Sequence, residues 1–143
     1  MNFLEIISVN EENKNDVAEF LKEVSLIGDI NEEALMNGEF VYDKQIIGTL
    51  SFEEFNDNAL IRYFIFRQSI TDDLIMELFK KIVNKAKKKA VKHLIAIVVK
   101  KEARIIFKHI GFYEIENNDV YIDEVNLNDT KFKNAVVLKY DIA

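Results

Sequence analysis

Two hydrophobic rhythms alternate along this chain, and they change at definite points. From Ala59 to Phe66 the residues are β-branched and aromatic with one charge, Arg62, which predicts a strand. From Asp72 to Lys89, the residues Leu74, Leu78, Phe79, Ile82, Val83 and Ala86 recur at three and four positions, the spacing of one buried helix face. His93 to Val99 is apolar after its first residue, as a strand covered on both faces should be. From Lys101 to Ile110 helical spacing returns, with Ala103, Ile106, Phe107 and Ile110 on one side. That helix closes on Gly111-Phe112.

The flanking segments read in the same way. Phe3 to Val9 predicts a first strand, and Glu11 to Leu26 a helix with Val17, Phe20, Leu21 and Val24 on one face. Gly28 falls at or just past its end, and Ile30 to Met36 predicts a short second helix. Glu39 to Tyr42 is a strand, Asp43-Lys44 a turn, and Gln45 to Phe52 the antiparallel partner. Asn56-Asp57-Asn58 then turns the chain into the strand at Ala59. Beyond Phe112, Tyr113 to Ile115, Val120 to Ile122 and Ala135 to Asp141 are strand candidates, and Asn126 to Asn134 is turn-like. This order predicts an α/β (α+β) fold: a central mixed twisted sheet of six to seven strands with helices on both faces. Right-handed crossovers at the two central strand-helix units settle most of the topology.

Composition narrows the chemistry. A length of 143 residues suits one domain, and 49% hydrophobic with 31% charged residues describes a globular chain. Cysteine is absent, which removes disulfides, thiolate metal sites and cysteine nucleophiles. His93 and His109 are the only histidines and have no acidic partner at ligand spacing, so no metal is expected. No apolar run reaches membrane-span length, and Met1 to Glu5 does not resemble a signal peptide, so the expectation is a cytoplasmic protein. The net charge of −6 speaks against a general nucleic-acid role. Charge is uneven: Lys80, Lys81, Lys85, Lys87, Lys88, Lys89 and Lys92 form a basic run, and Glu114 to Asp129 is acidic. The lysines read either as a solvated helix face or as a site for a phosphate-bearing ligand. With four glycines in the chain, glycine-rich phosphate loops are largely ruled out.

The block from Ala59 to Phe112, closing on Gly111-Phe112, resembles the GNAT acyltransferases, which move an acyl group from coenzyme A to an amine. Gly48 in Ile46-Ile47-Gly48-Thr49-Leu50 fits the same family. The resemblance covers nearly the whole chain in pattern and Ala59–Phe112 in residue detail. It implies a single GNAT-like domain over residues 1–143. In that family a loop of the type Arg/Gln-x-x-Gly-x-Gly/Ala follows the fourth strand. Its backbone N–H groups, at a helix start, hold the coenzyme A pyrophosphate. Aligned on Leu78-Phe79, the loop falls on Ile70 to Ile75, with Asp73 and Ile75 at the small positions. Shifted by two, Gln68 takes the first position, with Thr71 and Asp73 for the small pair. Either register puts Asp72 and Asp73 in the first helical turn, which reads as a plain capped helix or as a modified cofactor loop.

The resemblance also implies site residues. Phe64, Ile65 and Phe66 would line the acyl and pantetheine groove, with Gln68 and Thr71 in the loop. Phe107 stands where many members carry a tyrosine that protonates the departing thiolate, and a phenyl ring has no such proton. Glu53 and Glu54, at the end of the third strand, and Tyr63 on the fourth are the candidates for positioning or deprotonating an amine. Two adjacent acids at a strand end also read as a solvated turn. The implied activity is acetyl-CoA-dependent N-acyltransfer to a small-molecule amine or a peptide, with a weakened coenzyme A site. The alternative is a non-catalytic GNAT-like module that binds a small molecule or a protein. Neither a nucleic acid nor a membrane is expected as partner. The apolar strand Ala135-Val136-Val137-Leu138 suits pairing across a homodimer.

Overall fold

The computed structural model describes residues 4–25, 29–98, 100–115, 121–122, 125–126 and 136–142. Its elements run β1 (Glu5–Ser8), α1 (Lys14–Ser25), α2 (Glu32–Met36), β2 (Glu39–Tyr42), β3 (Ile46–Phe55), β4 (Asn58–Phe66), α3 (Asp72–Lys88), β5 (His93–Val98), α4 (Lys101–Ile110), β6 (Tyr113–Ile115), β7 (Tyr121–Ile122), β8 (Val125–Asn126) and β9 (Val136–Asp141). Seven strands form one mixed sheet in the order β1-β2-β3-β4-β5-β9-β6, and β7 pairs with β8 separately. The chain divides into two compact units, Met1–Glu53 with Ile61–Lys89 and Glu54–Leu60 with Ala90–Ala143. No helix among the described residues is long and apolar enough to cross a membrane.

In the first unit, alternation along β2 sorts the core into two faces. Phe40 joins Val17, Phe20 and Leu21 of α1, Ala34 and Leu35 of α2, and Tyr63 of β4 in one buried cluster. The preceding residue, Glu39, points the other way and meets Lys85 of α3. Phe79 of α3 packs on Phe64 of β4, ring centroids 5.7 Å apart. Helices therefore cover both faces of these strands. β1 pairs antiparallel with β2, and β2 with β3, where the register shifts between Val41 and Tyr42.

The second unit holds the parallel pairing. Asn58, Ala59 and Leu60 lie opposite His93, Leu94 and Ile95, which makes β4 and β5 adjacent and parallel as the two strand-helix units predict. β9 then pairs antiparallel with β5 over its whole length and with β6 on its other side. Phe107 of α4 is buried and stacks edge-on against Phe112 at 5.0 Å, and Phe112 packs on Tyr140 of β9. Gly111 ends α4 at φ 127°, a left-handed conformation that glycine adopts without strain. An added Cβ there would also press on the Tyr140 ring at 3.3 Å.

Several expectations from the sequence are corrected. Helix α1 starts at Lys14 rather than Glu11. The Asn10 side chain accepts from the N–H groups of Glu12 and Asn13, while Asn13 Oδ1 accepts from Asn10 N–H, so these residues form a turn instead of a first helical turn. β3 runs on to Phe55, because the reversal occupies only Asn56 and Asp57, with Asn56 at φ 57°. Asn126 lies in a short strand rather than in a turn, and 127–134 fall outside the described residues. The segment Val136–Leu138 is not free for pairing across a dimer, since β5 and β6 occupy both of its edges.

Candidate functional site

Within the first unit, the backbone of β4 breaks its alternation at Tyr63. Tyr63 has φ 52°, a left-handed conformation that costs a bulky residue strain. The consequence is local: consecutive residues Arg62 and Tyr63 both reach toward the start of α2, while Phe64 turns toward α3. Two hydroxyls of β3 hold the irregular stretch. Thr49 Oγ1 donates to the Tyr63 carbonyl at 2.5 Å and Ser51 Oγ to the Arg62 carbonyl at 3.2 Å. Both hydroxyls are buried, so each bond removes an acceptor that would otherwise be costly.

Asn31 is the hub of the network that results. As N-cap of α2, its Oδ1 accepts from the Ala34 N–H at 3.0 Å. Its own N–H donates to the Tyr63 hydroxyl at 2.9 Å, and its Nδ2 donates to Glu53 Oε1 at 3.1 Å. Arg62 Nη1 pairs with Glu53 Oε2 at 2.5 Å, and the guanidinium lies 5.0 Å from the Tyr63 ring centroid. Both carboxylate oxygens of Glu53 are thus engaged. The Tyr63 hydroxyl accepts from Asn31 and keeps its own proton to donate. Tyr63 is buried and Glu53 half-buried. Glu54 is also half-buried but belongs to the second unit.

The other residues singled out by resemblance fall in different settings. Phe64 and Phe66 stack edge-on at 5.2 Å. Phe66 lies directly over Gly48, where any Cβ would overlap its ring. Ile65 faces the α1 and α2 cluster instead, so it does not share a surface with Phe64 and Phe66. Gln68 is exposed after Arg67, whose Nε donates to the Ile46 carbonyl and whose guanidinium sits 5.1 Å from the Phe20 ring centroid. Phe107 is in the second unit, buried against Phe112.

The start of α3 bears on any anionic cofactor. Thr71 is the N-cap, and its hydroxyl accepts from the Leu74 N–H at 3.2 Å. The Ile75 N–H is bonded to the Thr71 carbonyl. Asp72 and Asp73 occupy the first turn, and Lys85, Lys87 and Lys88 the last, so both ends of the helix dipole are already complemented. A pyrophosphate here would meet two carboxylates and a hydroxyl holding one of the donors it needs. No residue from Arg67 to Thr71 has the left-handed backbone of a glycine loop. The residues at this helix start fit such a group poorly.

Among the described residues no group of three or more histidines and acids could hold a metal ion. In the second unit, Asp141 accepts from the Tyr113 hydroxyl at 2.9 and 3.1 Å and lies 2.8 Å from His93 Nδ1. The hydrogen bond from Tyr113, then that to His93, holds the Asp141 carboxyl below its ordinary range. The sequence reading missed this cluster and also the hub role of Asn31. An asparagine three residues before Ala34, at a helix start, was the only available signal for the latter.

No family model matches the sequence, and no curated protein matches it. Solved structures do. The N-acetylglutamate synthase of Neisseria gonorrhoeae, complexed with coenzyme A and L-arginine, is similar with a TM-score of 0.71 at 16% identity, covering 99% of this chain and 34% of that one. This chain therefore spans about a third of that protein. A GNAT-family acetyltransferase of Staphylococcus aureus has a TM-score of 0.66 at 15% identity, covering 98% of this chain and 99% of that one. The ribosomal-protein-S18-alanine N-acetyltransferase of Escherichia coli has a TM-score of 0.66 at 11% identity, covering 99% and 95%. With nearly the whole of this chain matched at such low identity, what is shared is the architecture: the chain has the GNAT acetyltransferase fold.

Proposed function

We propose that this chain is an acyl-CoA-dependent N-acyltransferase of GNAT type working with a weakened coenzyme A site. The observation that carries the reading is the GNAT fold, matched over 98% of this chain and 99% of the Staphylococcus aureus acetyltransferase. Coenzyme A would supply an activated acyl thioester. The acceptor is a small-molecule amine or a peptide. Glu53, with one oxygen on Arg62 and the other on Asn31, positions the amine. Tyr63, whose hydroxyl accepts from the Asn31 N–H, stands with Glu53 as the candidate to help remove the amine proton. Phe64 and Phe66 would form the apolar lining, and Gln68 with Thr71 would flank the phosphates at the α3 start, whose carboxylates weaken that hold. Phe107 supplies no proton, so transfer leans on orientation, which at its limit lowers a barrier by about 7–11 kcal/mol.

A second reading, a non-catalytic module that binds a small molecule or protein, is favoured by one specific feature. The donors at the start of α3 are already partly used by Thr71, and Asp72 and Asp73 repel a pyrophosphate. Calorimetry with acetyl-CoA, together with thiol release in the presence of a panel of amines and one peptide, separates the two. The expected result is binding weaker than low micromolar, about −8 kcal/mol, with amine-dependent thiol release that Glu53→Gln reduces about tenfold. Thiol release from no acceptor would leave the binding module as the function.

A further inference from the structure

A cavity of about 390 Å³ lies in the first unit, lined by residues of α1, of α2 and of the segment just before α2. Its volume falls at the small end of ligand sites, roughly 300–1,000 Å³. Ala18, Ile30 and Leu35 give it an apolar floor, while Lys14, Lys22, Asp29 and Glu32 supply charge around it. Lys14, Ala18 and Lys22 recur every four residues, so they form one stripe of α1.

The charges divide into two kinds. At one end Lys14 Nζ bridges Glu11 at 2.8 Å and Glu32 at 2.5 Å, a neutralised cluster. Those two carboxylates raise the Lys14 pKa, and Lys14 in turn lowers that of Glu32, so this end stays ionised. At the other end Lys22 and Asp29 are exposed, and neither side chain makes an ion pair or hydrogen bond among the described residues. Among the described residues, a cation and an anion without ion-pair partners thus share a cavity with an apolar floor.

We propose that this groove binds a small zwitterion of the amino-acid type with an apolar side chain. Lys22 takes the carboxylate, Asp29 takes the ammonium group, and Ala18, Ile30 and Leu35 take the side chain. A lone carboxylate or a lone amine engages only one of the two charges and binds more weakly. Asp29, Ile30 and Glu32 flank Asn31, whose N–H holds the Tyr63 hydroxyl and whose amide holds Glu53. The site is separate from acyl transfer and needs no acyl donor.

The test is a titration of the full chain followed by backbone amide NMR, with three probes of similar shape: L-leucine, isocaproate and isoamylamine. Isocaproate keeps the carboxylate and isoamylamine keeps the amine. L-leucine is expected to shift the amides of Ala18, Asn31 and Leu35 saturably, and the other two probes are expected to bind at least about tenfold more weakly. Lys22→Met and Asp29→Asn, both at exposed positions, each weaken L-leucine about tenfold while leaving circular dichroism unchanged. The proposal is overturned if L-leucine causes no saturable shift, if isocaproate binds as tightly as L-leucine, or if both variants bind like the parent. None of these outcomes touches the acyl-transfer reading, since no acyl-CoA is present. Loss of acyltransferase activity likewise leaves this site standing.

Discussion

Lys85 of α3 reaches across to Glu39 of β2. Its Nζ lies 3.6 Å from Glu39 Oε1 and donates to the Gly38 carbonyl at 2.9 Å. The Glu39 side chain is only 5% exposed. Ser8 Oγ donates to the same Oε1, and Oε2 is buried with no hydrogen-bond partner among the described residues. This charge is held inside the first unit by one lysine, and burial lowers the Lys85 pKa despite the carboxylate beside it.

Lys85→Met is expected to lower stability by about 1 kcal/mol, because it removes the hydrogen bond to the Gly38 carbonyl and the partner of a buried carboxylate, while the ammonium it deletes is itself penalised by burial. Adding Glu39→Leu should recover most of that loss. Urea denaturation of the two single variants and the double variant measures the coupling, and strictly additive losses would refute it. Because the native Lys85 pKa is lowered, the unfolded chain binds more protons between that value and the ordinary one near about 10.4. Stability attributable to Lys85 therefore rises with pH through that window, and the rise disappears in Lys85→Met.

Gly48→Ala is expected to destabilise by about 1–3 kcal/mol, since the new methyl overlaps the Phe66 ring. Phe66→Leu in the same chain should relieve part of that cost. Thermal melts of the four combinations are the measurement. A neutral Gly48→Ala would mean that the Phe66 ring moves aside freely.

Replacing Asp72 and Asp73 together by glycine tests the start of α3. Two favourable charges at the positive end of the helix are lost and two flexible residues are added, for a cost of about 1–3 kcal/mol. Backbone donors are freed and like charge is removed, so acetyl-CoA affinity is expected to rise. Calorimetry and melting temperature report opposite signs if this is right. A fall in melting temperature with unchanged binding would show that the helix start is no cofactor site.

The Asp141 carboxyl is held below its ordinary value by Tyr113 first and His93 second. A depressed acid contributes stability that is present above its unfolded value, about pH 4, and is lost as pH falls toward the native one. Tyr113→Phe is expected to raise the Asp141 pKa and flatten the acid limb of the stability curve. Carboxyl NMR titration checks the shift directly, and an unchanged Asp141 titration would contradict the assignment.

Much of the fold was legible before any coordinates. Period and composition located β2, α3, α4 and β6 nearly to the residue, because each carries either clean helical spacing or a bounded run of strand formers. Boundaries failed where side chains competed for backbone groups, as at Asn10 and Asn13 before α1. The apolar run at Val136–Leu138 suggested an edge, yet hydrophobicity alone cannot distinguish a strand paired on two sides from one paired on one.

The site divides along the same line. The sequence by itself determined that the first turn of α3 carries two carboxylates, that position 107 has no hydroxyl and that no cysteine is present, since these are properties of residue identity. Only the tertiary structure decided that Tyr63 adopts φ 52°, that Asn31 joins Tyr63 to Glu53, and that Lys85 neutralises Glu39. A tyrosine announces no left-handed backbone, and those partners lie 22 to 46 residues apart in the chain. Local preference speaks for a few neighbouring residues; contacts at that separation exist only once the sheet has brought its strands together.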